Sequence, residues 1–454
     1  MPPRFSSAIG DILPLTLPIL AEQAIIVSMN VVNAAMASNI GKEAASAIGM
    51  VDAINWVIIG FFSALAVGGT VLVAQSWGRG DRAAAARAAA QAATSAVAIA
   101  AVVGLLAAAF ADQIIGLLYP GAEASVSAGA AAYLRITALG YPFLGAALAS
   151  SGALRGAGDS RTPMRVNVSM GVANVGASAL LIFGLDLGFA RVPSLGIEGA
   201  AAGISIARAF GAILYAIVLA RPACVIRLKS LAAFRPDARV LRGIFAVGLP
   251  SAVENIAFNG GKLLAQTYIV SLGTDAIAAN FIGMSLASFL QIPSTSLGIA
   301  ATTLVGQSVG RGDPQSARRN IVVATCLSAL ALLAASAIGI PLAPALIGIY
   351  TKDSAVAAIT KDLLLAMFIA LPLVWSPSFI LPAGFRGAGD VRFSMVVSMA
   401  SMWILRVSLG YVLALPAGLG VLGVWLAMFV DWIARSVLFG LRLRSGAWYR
   451  KARA

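Results

Sequence analysis

Glu22, Glu254 and Asp431 are carboxylates set inside long apolar stretches, whereas most of the 18 acidic residues lie in loops or at helix ends. A charge at mid-bilayer costs about 3 kcal/mol on insertion scales unless it is paired, wetted or protonated. An acid retained at such depth can load and release a proton, or stay ionised as a ligand for Na+. The plainer reading is an interhelical hydrogen bond that fixes packing. Gln23, Asn30 and Asn33 follow Glu22 on the same stretch. The step from Glu22 to Asn33 is about three helical turns and puts both on one face, with Gln23 and Asn30 beside it.

The same spacing lines up Asn255, Asn259 and Lys262 next to Glu254. Lys262 is the only lysine deep in an apolar stretch, where it can pair with Glu254, repel cations from a cavity, or snorkel. Asp431 has two candidate partners, Arg435 one turn on and Arg406, so an internal ion pair competes with an ion-coupling role. Asn174 and Ser178, four apart, can offer oxygens to a cation or bridge helices. With no histidine and two well-separated cysteines, Cys224 and Cys326, neither a zinc site nor a His-based triad can be built. Na+ is the one metal these groups could hold, and no cofactor is called for.

The elements that must carry these groups are apolar helices. The chain of 454 residues is 60% hydrophobic and 11% charged, against roughly a quarter charged in soluble domains. Twelve stretches reach the ~20 residues a bilayer span needs: 12–36, 47–77, 87–110, 128–152, 163–184, 196–220, 243–270, 276–308, 320–346, 358–383, 394–415 and 418–441. The expected fold is an all-α membrane protein. Pro142 and Pro372 predict kinks. Glu22 sits about ten residues into the first stretch, roughly 15 Å deep, and Glu254 stands at the equivalent place in the seventh. The first stretch shows no cleavage pattern and reads as a retained helix.

A net charge of +14 invites a nucleic-acid reading, but the positions of the basic residues decide against one. Arg79, Arg82, Arg87, Arg155, Arg161, Arg165, Lys229, Arg311, Arg318, Arg319, Arg386 and Arg392 fall in alternate loops. The remaining loops hold only Lys42, Arg191, Lys352 and Lys361. Such asymmetry is the positive-inside pattern and places both termini in the cytoplasm of a multi-pass plasma (inner) membrane protein, with basic loops against anionic lipid.

Self-similarity is the strongest signal. Ala74–Asp81 reads AQSWGRGD and Gly306–Asp313 reads GQSVGRGD; Arg155–Asp159 and Arg386–Asp390 both read RGAGD; Leu17–Pro18 with Glu22 matches Leu249–Pro250 with Glu254. The offsets of 231–232 define two parallel repeats. They predict two pseudo-symmetric six-helix lobes, 1–220 and 243–441, a basic linker 221–242 and a basic tail 442–454. Alternating access between the lobes follows. In the repeated loop motifs, glycines permit tight turns while Arg79, Asp81, Arg155, Asp159, Arg311, Asp313, Arg386 and Asp390 pair locally or with headgroups; no Walker lysine follows them, which excludes a nucleotide-driven pump.

In order and duplication, LPILAEQ at Leu17–Gln23, LRGAGDSRTPM at Leu154–Met164, GIEGAA at Gly196–Ala201, GLPSAVEN at Gly248–Asn255 and GVWLAMFVDWIARS at Gly423–Ser436, with the two loop motifs, make the chain resemble the multidrug and toxic compound extrusion (MATE) family over nearly its whole length. The resemblance implies a twelve-helix, two-lobe antiporter that expels cationic or amphiphilic small molecules against H+ or Na+. The chain is expected to act as a monomer. Many members resembling it carry an Asp where this chain has Asn33, an Asp at Ser178 and a Glu at Phe258. The departures shift weight to Glu22, Glu254 and Asp431. A lipid-linked precursor flippase on a similar scaffold is the alternative, with Lys262, Arg406, Arg135 and Arg208 as its candidate cations; an intramembrane enzyme is a third reading.

Overall fold

In hydrocarbon every backbone N–H and C=O has to be satisfied within its own segment, and helices are the form these apolar stretches take. The computed structural model describes residues 5–186, 191–227 and 231–450. Lys229, assigned above to a basic loop, lies outside the described residues, as do the last four residues of the basic tail.

By its contacts the chain divides into two units, Ala21–Ala252 and Met1–Leu20 with Val253–Ala454. The division points fall inside two long helices, α1 (Phe5–Ile40) and α9 (Ala238–Ser271). The first unit also holds α2 (Lys42–Gly78), α3 (Arg82–Ala109), α4 (Ala111–Leu118), α5 (Ala124–Leu139), α6 (Tyr141–Gly156), α7 (Arg161–Phe183) and α8 (Gly196–Ala220). Between α7 and α8 two short strands, β1 (Leu185–Asp186) and β2 (Arg191–Val192), pair antiparallel. The second unit holds α10 (Thr274–Leu290), α11 (Ile292–Gly310), α12 (Pro314–Tyr350), α13 (Ser354–Ala370), α14 (Ser376–Ala388), α15 (Val391–Ser401), α16 (Gly410–Ala414), α17 (Gly420–Ser445) and α18 (Ala447–Arg450).

Among the described residues ten helical segments are long and apolar enough to cross a bilayer, and α10 with α11, bent by 49°, supplies an eleventh. The remaining expected stretch, 128–152, is made of α5 and α6 in succession, each 16 residues, parted at Gly140 just before Pro142. Proline explains the bend as well as the break: Pro293 opens α11 as Pro142 opens α6, and neither has an N–H to continue the preceding ladder. Pro372 is absorbed differently, in a π-helical turn at Leu371–Trp375 that keeps the chain helical from α13 into α14.

The repeated GRGD turns join helices in both units by one device. Gly80 and Gly312 take φ of +81° and +74°, which a Cβ would oppose. The aspartate that follows caps the next helix: Asp81 accepts from the Ala84 N–H at 2.8 Å and Asp313 from the Ser316 N–H at 2.9 Å. Arg79 and Arg311 each donate to the serine three residues back, Ser76 and Ser308, at 3.1 Å. Aromatic side chains dominate the core of the second unit, where Trp375, Trp425, Phe429 and Trp432 are buried. The first unit is filled by smaller groups around Ile115, Tyr133 and Leu134.

Candidate functional site

In the first unit α6 crosses α2 so closely that a Cβ on Gly156 would lie 2.7 Å from the Thr70 carbonyl oxygen. The crossing fixes the end of α6 and aims its neighbour Arg155 inward. Arg155 donates to Glu22 Oε1 at 2.5 Å, and Asn167 of α7 donates to the same oxygen at 2.7 Å. Tyr215 of α8 in turn donates to Asn167 Oδ1 at 2.9 Å. The Glu22 side chain is 2% exposed, and its other oxygen, Oε2, is buried without a hydrogen-bond partner. Glu22 stands near the middle of a helix of 36 residues that starts at Phe5, earlier than the expected residue 12.

The second unit repeats the arrangement. A Cβ on Gly387 would lie 2.4 Å from the Thr302 carbonyl oxygen, so α14 crosses α11 as α6 crosses α2. The neighbouring Arg386 then reaches Glu254 at 3.6 Å, an ion pair without a hydrogen bond to Glu254 Oε2. Each glutamate stands two residues past the division point in its helix. The glutamates and the loop arginines, kept apart in the sequence reading, are thus one matched pair of ion pairs.

Further along α9, Asn259 donates to the carbonyl and the side-chain oxygens of Asn255, both at 2.9 Å. Lys262 does not meet Glu254; its Nζ lies 4.9 Å from the centre of the Phe258 ring. Arg406 and Arg435 approach the same ring at 5.7 and 5.8 Å. Asp431 is fully buried, with Arg435, Ser401 and Arg406 as its neighbours.

Gln23 is half-buried and Asn30 exposed, while Asn33 and Asn174 each keep a buried, unpartnered Oδ1. Ser178 is packed against Gly203 of α8, where the two helices touch, so its hydroxyl belongs to that contact. Asp159 accepts from the Thr162 N–H at 3.0 Å at the start of α7, and Asp390 is held by Arg442 at 2.9 Å. Arg135 forms an exposed pair with Asp112.

One polar cluster was missed in the sequence. Tyr141 donates to Asn55 Oδ1 at 2.8 Å, Arg208 donates to the Thr137 carbonyl at 3.1 Å, and Asp52 is the nearby acid. Placing the second stretch at 47–77 left Asp52 near an end. α2 starts at Lys42, directly after Gly41 at φ +142°, and that glycine beside the Lys42–Glu43 pair was the signal that would have put Asp52 three turns inside.

Comparison with known proteins agrees with the helical membrane fold and with the internal repeat. The family model MatE matches the chain twice, at residues 18–180 and 250–412, again 232 apart. A relative from Thermotoga maritima, "Probable multidrug resistance protein NorM", is 28% identical over 97% of this chain and 93% of its own length. "Uncharacterized transporter YisQ" of Bacillus subtilis is 27% identical over 97% and 95%. A solved structure described as an outward-facing conformation of a multidrug resistance MATE family transporter of the MOP superfamily superposes with a TM-score of 0.88 at 19% identity, covering 97% of this chain and 96% of that one.

Proposed function

The chain belongs to the MATE family of multidrug efflux transporters, and from that premise we propose that it is a secondary antiporter that exports small organic compounds by alternating access in exchange for H+ or Na+. The observation that carries the reading is the duplicated ion pair, Glu22 with Arg155 around a buried carboxylate and Glu254 with Arg386 in a half-buried setting. Coupling requires a group whose ion affinity differs between two states of the protein. A carboxylate that holds an arginine in one state and an ion in the other has that property. Protonating Glu22 removes the charge that draws the Arg155 guanidinium; Na+ would instead compete with it for the two oxygens. Either event frees the end of α6 that carries Arg155.

The basic loops support a plasma (inner) membrane protein with both termini cytoplasmic and in contact with anionic lipid, which we read as a monomer. The test is efflux of fluorescent organic ions from proteoliposomes under imposed H+ or Na+ gradients, with Glu22→Gln and Glu254→Gln beside wild type. At least one variant is expected to keep its fold and lose gradient-driven efflux, and the gradient that drives wild type names the coupling ion. Normal transport by the double variant would remove these glutamates from the mechanism.

A further inference from the structure

Three cations meet at one aromatic ring in the second unit. Lys262, Arg406 and Arg435 all lie within 6 Å of the centre of Phe258. A ring face attracts a cation by about 0.5–2 kcal/mol, which is small beside the cost of burying like charges together. One carboxylate, Asp431, lies among them; Glu254, an electrostatic neighbour of Arg435, is engaged by Arg386. Two positive charges are left over.

The hydrogen-bonding account is equally incomplete. A guanidinium has five N–H donors. Arg406, 6% exposed, donates to the Met428 thioether at 3.0 Å, and its Nε has no partner. Arg435, 3% exposed, has a 3.5 Å contact to the Ser378 carbonyl, and its Nε and one terminal nitrogen have none. Buried donors left unmade cost about 1–3 kcal/mol each. Lys262 is exposed, so the cluster has an accessible side. Next to it stands an aromatic wall: Phe379 is edge-on to Phe258 at 6.4 Å, stacked on Trp375 at 4.4 Å and edge-on to Trp432 at 6.1 Å.

We infer that this cluster is a binding site for an organic anion, a carboxylate, sulfonate or phosphate on an aromatic body, whose acidic oxygens fill the free donors of Arg406 and Arg435 while its rings lie against Phe258 and Phe379. The inference rests on the exporter reading and gives its cargo a charge opposite to the cationic one that the family resemblance implied. A chloride ion would match the charge and leave the aromatic wall unused.

The probes are 1-naphthalenesulfonate, its cationic counterpart 1-naphthylmethylammonium, and methanesulfonate, bound by equilibrium dialysis to the full-length protein in detergent. The aromatic sulfonate is expected to bind at least about ten-fold more tightly than either of the others. Lys262→Gln is expected to weaken it about five-fold or more with an unchanged melting temperature, and Lys262→Arg to retain it, with Lys352→Gln as a neutral surface control. Tighter binding of the ammonium, or an unchanged sulfonate affinity in Lys262→Gln, would overturn the site; equal binding of methanesulfonate would overturn its aromatic part. No gradient is involved, so failure here leaves the efflux test standing, and failed efflux with intact sulfonate binding counts against the exporter reading alone.

Discussion

Arg155 donates to Glu22 across 133 residues of chain, from the last turn of α6 to the middle of α1. The arginine belongs to a motif whose glycines read as turn-formers, and the glutamate to a helix whose acid reads as an isolated charge. Gly156 joins the two facts. Its missing side chain lets α6 lie against α2, and the helix end so fixed carries Arg155 to the carboxylate.

Removing Arg155 leaves an ionised or newly protonated carboxylate in a site that is 2% exposed. Breaking one side of a buried pair costs about 3–5 kcal/mol, whereas removing both partners costs much less. Arg155→Ala is therefore expected to lower thermal stability in detergent strongly. Arg155→Ala combined with Glu22→Gln should recover most of the loss, and a double variant no more stable than Arg155→Ala alone would show that the pair does not hold the site together.

The matched pair should behave differently. Arg386 and Glu254 are 25% and 12% exposed and lie 3.6 Å apart, so water screens them more than their counterparts. Arg386→Ala is expected to cost about 1 kcal/mol, well under the cost of Arg155→Ala. Equal losses in side-by-side melts would refute the asymmetry.

Asp313 supplies a pH test outside the membrane-spanning segments. Hydrogen bonds from Ser316, from its side chain first and then its backbone N–H, hold the Asp313 carboxyl below its usual value of 3.8. A depressed carboxylate contributes stability that is fully present above 3.8 and is lost as pH falls through the folded-state value. Asp313→Ala should cost about 1 kcal/mol at neutral pH, with the gap to wild type closing as pH drops below that range. Asp313→Asn keeps an N-cap and should lose the pH dependence while keeping most of the stability. A gap that stays constant down to acid pH would exclude the capping role.

Spans, repeat and turn glycines were legible because they are local: hydropathy, spacing and a glycine in a tight turn decide them within a few residues. Asp81 and Asp313, expected to pair with arginine or with headgroups, instead cap the helix that follows each turn. Broken spans were less legible, since Pro142 was read as a kink within one span and Pro293 was not singled out, although these two prolines mark the parting at Gly140 and the bend at Gln291. The site was half legible. Glu22 and Glu254 stood out as acids in apolar sequence, but their partners are 132–133 residues away, and only a close helix crossing brings such groups together. Lys262 was singled out as well; that Arg406 and Arg435 share its aromatic ring depends on three helices converging, which no spacing within one helix encodes.

The crossings themselves can be tested by adding one carbon. A Cβ at position 156 would stand 2.7 Å from the Thr70 carbonyl oxygen, and one at position 387 would stand 2.4 Å from that of Thr302. Backbone cannot swing aside as a side chain can, so each pair of helices has to separate, at a cost of about 1–3 kcal/mol. Because the arginine next to each glycine is aimed by the crossing, Gly156→Ala and Gly387→Ala should also lower gradient-driven efflux, although neither residue touches an ion or a cargo. Gly176→Ala in α7, where nothing lies within 4 Å of the added carbon, should be neutral or slightly stabilising, since alanine is the better helix former. If Gly156→Ala melted and transported like Gly176→Ala, close approach at α2 and α6 would not be what positions Arg155.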